Sequence, residues 1–355
     1  MDKKVKTTSE HKFYISLLSV ISAFSVVFLH TNARFWTFSR ENYWFLEGIN
    51  ECFFYFAVPV FLMLTGATLF NYAARYSTLE YFKRRILKTV VPFLFWSLFG
   101  LFFSIYVLND LKISELNFWY IIDGILNVKF VEIYWFFITL FKIYTVIPLF
   151  ANLKEKSKNK ILVFLFVVML LINSVFPFVI KTYSLSFPIF RPFVIADKLI
   201  IFCIIGYLAD IYYDTLLKNR KTLIIFSILG ISAFCCHFLG TYFLSMEANK
   251  IVTVFKGYDN ILCIIYSFWI YLLVRKIEPK LRNNKAFKNS IEFLAKYTLA
   301  IYLLHIFVLN YIIKLFNPNM NSALVRFGLP FVIIPICILI TYILRQNKFL
   351  AKIIP

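Results

Sequence analysis

Charged residues are scarce in this chain of 355 residues. They make up 16% of the sequence, against about 25% in an ordinary soluble domain. Hydrophobic residues make up 61%, and the mean hydropathy is +0.77. This balance excludes a soluble enzyme and a disordered chain, since neither carries so much apolar surface with so little charge. The composition indicates a protein whose solvent is largely the lipid bilayer.

Cysteine is also sparse, and its spacing matches no zinc or haem motif. The six cysteines lie in or beside apolar runs, which is not the pattern of a secreted disulfide module. We expect them to be small apolar packing residues. We expect neither a metal nor a bound cofactor.

The apolar residues fall into runs that are long enough to cross a membrane. A spanning helix needs about 20 mostly apolar residues, and charge clusters separate about ten such runs. The predicted fold is all-α: one polytopic membrane domain over residues 1–355, with about ten transmembrane helices and both termini cytoplasmic. The predicted spans are 13–34, 49–71, 86–108, 130–151, 160–180, 195–213, 221–244, 256–274, 292–315 and 325–344.

Acidic residues are few. The chain has 18 Asp and Glu but 38 Lys and Arg, so its formal charge is +20. In a soluble protein this excess would suggest a nucleic-acid partner. Here roughly two thirds of the basic residues fall in alternate segments between the predicted spans, as they do in cytoplasmic loops. The charge therefore predicts an orientation with an even number of helices, and we expect no nucleic-acid partner.

Ionisable side chains inside a span are costly, so each is a candidate functional residue. His30 lies near the outer end of the first span, and His305 lies midway along the ninth. Both helices are predicted to run outward, so the two histidines reach a similar depth and are expected to line one cavity. Tyr302 shares a helix face with His305 and can orient its ring. Such histidines can activate a hydroxyl nucleophile; the alternative is a structural hydrogen bond between helices.

Three further residues are candidates to line this cavity. Lys142 lies near the middle of the fourth span, too deep to reach water, and is expected to face the bundle interior. Glu51, like Glu47, opens the second span and can orient a histidine. Ser19 belongs to a row of small residues that either allows close helix packing or borders a substrate channel.

A basic cluster leads directly into the third span without a polar spacer. Its charges at Arg84, Arg85 and Lys88 are expected mainly to anchor the helix at the cytoplasmic face. The same charges also suit a polyanionic cytoplasmic ligand, such as the phosphates of coenzyme A. The sequence leaves both interpretations open.

Five segments resemble motifs of the integral-membrane acyltransferase family 3. Each segment is a short apolar piece, but the five occur in the order of the family and on the corresponding helices, so the resemblance covers nearly the whole chain. The segments are 25–30, which ends at His30, 58–66 (VPVFLMLTG), 83–93 with its basic entry, 134–148, and 301–305 (IYLLH).

The resemblance implies a ten-helix bundle that moves an acyl group, commonly acetyl from acetyl-CoA, onto a surface carbohydrate. It implies that His30 activates the acceptor hydroxyl or relays the acyl group, and that His305 and Tyr302 shape the same cavity. The acyl-CoA phosphates would lie near Arg84, Arg85 and Lys88.

The sequence departs from the family pattern at three places, and at one of them the family's histidine just before the fourth-helix tryptophan is replaced by the Ile133-Tyr134 dipeptide. The family usually carries an arginine eleven residues before the first-span histidine, and often an aspartate three residues earlier; this chain has Ser19 and Ser16 there. The Arg-x-x-Arg pair of the family reads Arg85 and Lys88, which keeps the charge but loses one planar guanidinium. Since Ser19 carries no charge, Lys142 is a candidate to supply the missing one.

The expected protein is a multi-pass O-acetyltransferase of the bacterial inner membrane that modifies the cell envelope. Acetyl-CoA or another acyl-CoA would be its donor substrate, and a surface glycan or lipid-linked sugar its acceptor, within membrane lipid. Two alternatives stay open: an exporter of polysaccharide or lipid-linked sugar, and a non-catalytic member of the family. Exporters often contain paired repeats with broken helices, and the sequence has no convincing internal repeat.

Overall fold

The computed structural model describes residues 13–186 and 191–355. Within these ranges the regular elements are helices, and no strand is present. Ten helical segments, α1 to α10, follow the predicted spans in order. Their bounds are α1 Phe13–Thr31, α2 Asn42–Ala74, α3 Thr78–Leu108, α4 Glu132–Ala151, α5 Glu155–Thr182, α6 Ile200–Ile211, α7 Arg220–Ala248, α8 Ile261–Arg282, α9 Thr298–Phe316 and α10 Ala323–Leu344.

Eight helices of the described ranges are long and apolar enough to cross a membrane. The two remaining helical segments, α6 and α8, also lie at predicted spans but are not among these eight. Helix α6 has 12 residues, about 18 Å of helix at 1.5 Å per residue. Helix α8 carries Arg275, Lys276 and Glu278 in its second half. The chain is thus an all-helical polytopic membrane protein. The end of the bundle that carries most basic loops is called the inner end below, and the opposite end the outer end.

Several of these helices are interrupted, and shorter helices connect them. Helix α2 consists of Asn42–Phe54 and Ala57–Leu69, followed by a 3-10 turn. Helix α4 begins with the 3-10 turn Glu132–Tyr134. The connecting helices and turns are Ala33–Trp36, Ile113–Glu115, Phe118–Leu126, Tyr213–Lys218, Lys285–Ala295 and Leu350–Ile353.

Proline accounts for wide turns in α3 and α5. Pro92 and Pro177 have no N–H, and each ring would clash with the carbonyl four residues earlier in a regular helix. A π-helical turn precedes each proline, at Ile86–Val90 in α3 and at Leu171–Val175 in α5. In α3 the wide turn contains Lys88, so the basic entry of the helix is not a regular α-helix.

Two glycines bring the backbones of α2 and α6 into contact. A Cβ atom at Gly66 would lie 1.8 Å from the carbonyl oxygen of Cys203, and one at Gly206 would lie 1.9 Å from that of Met63. Both positions therefore require glycine. Residues 200–207 of α6 are all buried. This short helix is shielded from lipid by its neighbours, which explains why it can be both apolar and too short to cross the bilayer.

We expect Gly66→Ala to destabilise the bundle by about 1–3 kcal/mol, because its methyl group would push α6 away from α2. The measurement is the Tm of purified protein in detergent micelles. Gly328 is the matched control, since no heavy atom lies within 4 Å of a Cβ built on this helical glycine. Gly328→Ala should leave Tm unchanged or raise it, because alanine favours a helix over glycine by about 1 kcal/mol. Equal losses in both variants would contradict the close packing.

Candidate active site

The imidazole rings of His30 and His305 lie side by side. His30 is the penultimate residue of α1, and His305 lies in the middle of α9. Their ring centroids are 5.0 Å apart, and the ring planes are inclined by 44°. The contact agrees with the similar depth expected for the two histidines. The expectation that both line one cavity is not met, because His30 lines a cavity and the fully buried His305 lines neither of the two described below.

Burial and one hydrogen bond define the state of His305. Its side chain is fully buried, and its Nδ1 lies 2.9 Å from the carbonyl oxygen of Ile301. A carbonyl oxygen only accepts, so Nδ1 carries the hydrogen and donates it. Nε2 then holds a lone pair, and it has no hydrogen-bond partner among the described residues. The ring beside His30 therefore has one nitrogen lone pair without a hydrogen-bond partner among the described residues.

A cavity of about 710 Å³, the outer cavity, opens beside His30. Its wall is rich in aromatic rings. Tyr55 and Tyr258 stack with centroids 4.3 Å apart, and Trp135 packs against Tyr258 at 5.6 Å. Two carboxylates, Glu51 and Glu132, also line the cavity. Broad apolar faces beside hydrogen-bond acceptors are typical of sites for amphipathic ligands.

A second cavity of about 340 Å³, the inner cavity, contains the basic residues Arg85 and Lys88. Arg85 and Lys88 are three residues apart and therefore share a helix face. Lys88 lies in the π-helical turn of α3. The Arg85 guanidinium lies 5.6 Å from the ring centroid of Tyr144, and its buried Nε has no hydrogen-bond partner in the described part of the chain. Ser19 of α1 lines the same space. The inner cavity thus offers cationic groups to an anionic ligand.

Arg84 does not belong to this cavity. Its Nε lies 2.7 Å from Glu80, and its guanidinium lies 4.6 Å from the ring centroid of Tyr76. The expectation that Arg84 joins Arg85 and Lys88 around one ligand is therefore wrong. Successive residues of a helix point about 100° apart, and here Arg85 lines the inner cavity while Arg84 points to Glu80 and Tyr76.

Lys142 also lies outside both cavities. Its side chain is 54% exposed, and its Nζ lies 3.7 Å from a carboxylate oxygen of Asp197. The expectations that Lys142 faces the bundle interior and replaces the missing charge at Ser19 are wrong. The segment before α6 places Asp197 beside the exposed face of α4, which the apolar sequence around Lys142 did not indicate.

Two residues line both cavities, Phe136 of α4 and Tyr302 of α9. Their ring centroids are 5.7 Å apart in an edge-to-face arrangement. The Tyr302 hydroxyl donates a hydrogen bond to the carbonyl oxygen of Ile133. His305 lies 6.0 Å from Tyr302 between ring centroids. The inner and outer cavities are therefore neighbours, with these two aromatic side chains between them.

Two buried cations near the outer end of α1 were not expected from the sequence. Arg326 is fully buried, with Nη1 3.0 Å from Glu47, and Lys256 is almost fully buried, with Nζ 3.1 Å from Glu51. Lys256 also lies 3.6 Å from the ring centroid of Tyr55. The charge asymmetry assigned both cations to outer loops. Both residues lie at the start of predicted spans, 256–274 and 325–344. An ionisable residue inside a span is a candidate buried group, so these positions could have revealed them.

Arg326→Met should lower stability by about 3–5 kcal/mol, because the substitution leaves Glu47 buried without a counter-charge. The double variant Arg326→Met/Glu47→Gln should recover part of this loss, since it removes the uncompensated charge. The measurement is Tm in detergent. Arg84→Met is the control, because its partner Glu80 is exposed, and its Tm should match that of the wild type. An unchanged Tm for Arg326→Met would refute a structural role for the pair.

Comparison with known proteins identifies a family that the chain matches. A family model described as an acyltransferase domain, that of acyltransferase family 3, matches residues 12–345. No curated protein and no solved structure gives a significant match. The match covers nearly the whole chain, including both cavities and the histidine pair, and the chain belongs to acyltransferase family 3 and is a membrane acyltransferase.

Proposed function

We propose that this acyltransferase moves an acetyl group from acetyl-CoA, bound at the inner cavity, to a hydroxyl of a cell-surface or lipid-linked glycan in the outer cavity. One observation carries the proposal. A cavity lined by the cations Arg85 and Lys88 and a cavity lined by His30 meet at Phe136 and Tyr302. Donor and acceptor can therefore approach from opposite ends of the bundle, as the bacterial inner membrane requires of an enzyme that modifies the envelope.

The inner cavity suits the donor. Phosphates bind most strongly to charged donors, and Arg85 and Lys88 supply two beside one space. The absence of the family arginine at Ser19 does not leave this space uncharged, because Ser19 lines the same cavity as Arg85. A volume of about 340 Å³ suits a slender pantetheine arm better than a whole nucleotide, so the nucleotide would lie at the inner mouth.

The outer cavity suits a carbohydrate acceptor. The C–H faces of a sugar ring are apolar and pack against aromatic faces such as Tyr258 and Trp135. Sugar hydroxyls can donate to Glu51 and Glu132, which line the same wall. The Glu51 carboxylate is already held by Lys256, so it is an ordered acceptor rather than a mobile one.

The histidine pair supplies the proton chemistry. His30 removes the proton from the acceptor hydroxyl. The hydroxyl oxygen then attacks the carbonyl carbon of the thioester. The new C–O bond forms, the C–S bond breaks, and the CoA sulfur leaves with the proton that His30 held. Nε2 of His305 has no hydrogen-bond partner among the described residues, and its ring lies 5.0 Å from that of His30 between centroids, so in our proposal His305 orients His30 during transfer, in the way that a third group orients a catalytic base.

His30→Ala should lower acyl transfer by about 100-fold or more, since a general base contributes about 10²–10⁴-fold. The measurement is the ester content of the surface glycan in wild type, deletion and variant strains. Lys142→Ala, outside both cavities, should retain full transfer. Esters that persist in the deletion strain would refute the proposal for that glycan. Glycan export that stops while esterification continues would favour an exporter.

Arg85→Ala should raise the KM for acetyl-CoA about 10- to 100-fold, the equivalent of one charge-assisted hydrogen bond of about 1.5–3 kcal/mol. Arg84→Ala is a closely matched control, because the neighbouring arginine has the same charge but pairs with Glu80 outside the cavity. Its KM should equal that of the wild type. Equal increases for both variants would show that the cluster acts only through its general positive charge, and not through the inner cavity.

A further inference from the structure

The two residues between the cavities form a tightly packed barrier. Phe136 and Tyr302 are 8% and 7% exposed. The Tyr302 ring also packs edge-to-face against Phe137, with centroids 5.6 Å apart. It is held at its far end by the hydrogen bond to the carbonyl oxygen of Ile133. A ring fixed at one edge and packed on its faces cannot turn aside without breaking these contacts.

The position of this barrier relative to the histidines has a chemical consequence. Tyr302 is 6.0 Å from His305, and His305 is 5.0 Å from His30, both between ring centroids. Because the two cavities share Phe136 and Tyr302 as lining residues, a thioester that moves from the inner cavity toward the histidines passes beside these two rings. Its acyl chain, attached to the carbonyl carbon under attack, must then lie in contact with these two rings.

We propose that Phe136 and Tyr302 set the length of the acyl group that the enzyme transfers. This inference rests on the proposed acyl transfer from acyl-CoA. In a close-packed site each extra methylene group must displace a neighbouring side chain. A hydrophobic pocket discriminates about 10- to 200-fold per methylene group. The two rings leave room for acetyl at the histidines and exclude longer straight chains.

The two residues contribute in different ways. Phe136 supplies volume, because its side chain lines both cavities and has no polar atom that a hydrogen bond could fix. Tyr302 supplies rigidity, because its hydroxyl is tied to the backbone before α4. Removal of the Phe136 ring should therefore widen the passage, whereas removal of the Tyr302 hydroxyl should only loosen it.

The test compares acetyl-, propionyl- and butyryl-CoA as donors for the full-length protein in detergent or liposomes. The quantity is kcat/KM for each longer donor divided by that for acetyl-CoA. Phe136→Ala should raise the butyryl ratio at least 10-fold, and Tyr302→Phe should raise it by less. Phe150→Ala is the control: Phe150 has the same residue type, helix and exposure as Phe136 and lines neither cavity. Its ratio should equal that of the wild type.

Two results would overturn the inference. One is a wild-type enzyme that uses butyryl-CoA as well as acetyl-CoA. The other is a folded Phe136→Ala variant that transfers acetyl with an unchanged ratio. If the alanine variant does not accumulate or has no activity, Phe136→Leu removes less volume and is judged by the same ratio. Wild-type protein that transfers no acyl group from any donor would instead refute the proposed function.

Discussion

The buried ion pair between Arg326 and Glu47 holds the outer end of the bundle together. It joins α10 to α2, and both partners are fully buried. Helix α1 is tied to the same point, because the Thr31 hydroxyl donates to the carbonyl of Arg326 at 3.1 Å and the Asn32 amide donates to the carbonyl of Glu47 at 2.9 Å. These contacts begin one residue after His30. The ion pair and these two backbone contacts together hold three helices at the point where the candidate catalytic side chain of His30 lines the outer cavity.

The polar groups of the bundle divide into those that are neutralised and those that remain available. Buried charges are costly unless they are paired, and Arg326 and Lys256 each have a carboxylate partner. The Nε2 of His305 and the Nε of Arg85 are buried but have no such partner in the described ranges. One lies beside the outer cavity and the other in the inner cavity. Other buried groups without a hydrogen-bond partner, such as both ring nitrogens of His237, lie outside the two cavities, so it is the nearness of Arg85 and the histidine pair to a cavity that singles them out.

The helical fold was predictable because length, apolarity and loop charge are local properties. Every predicted span corresponds to a helix. Helix α6 is shorter than the span predicted for it, 195–213. The residues of the candidate site were less predictable. His30 and His305 were paired correctly from depth alone, since depth follows from residue number along a straight helix. Arg84 and Lys142 were misplaced, because helix rotation and the path of a connecting segment decide which cavity, if any, a side chain lines.

The sequence alone determined an all-helical membrane protein, its likeness to acyltransferase family 3, and the depth of its two histidines. Hydrophobic runs and motif order carry that information directly. Only the tertiary structure decided that the histidine rings touch, that Arg85 faces a cavity while Arg84 does not, and that Phe136 and Tyr302 stand between two cavities. These features depend on how helices rotate and pack against partners hundreds of residues away. The pattern of apolar residues along a membrane helix specifies such packing weakly, since lipid and protein interior are similarly apolar.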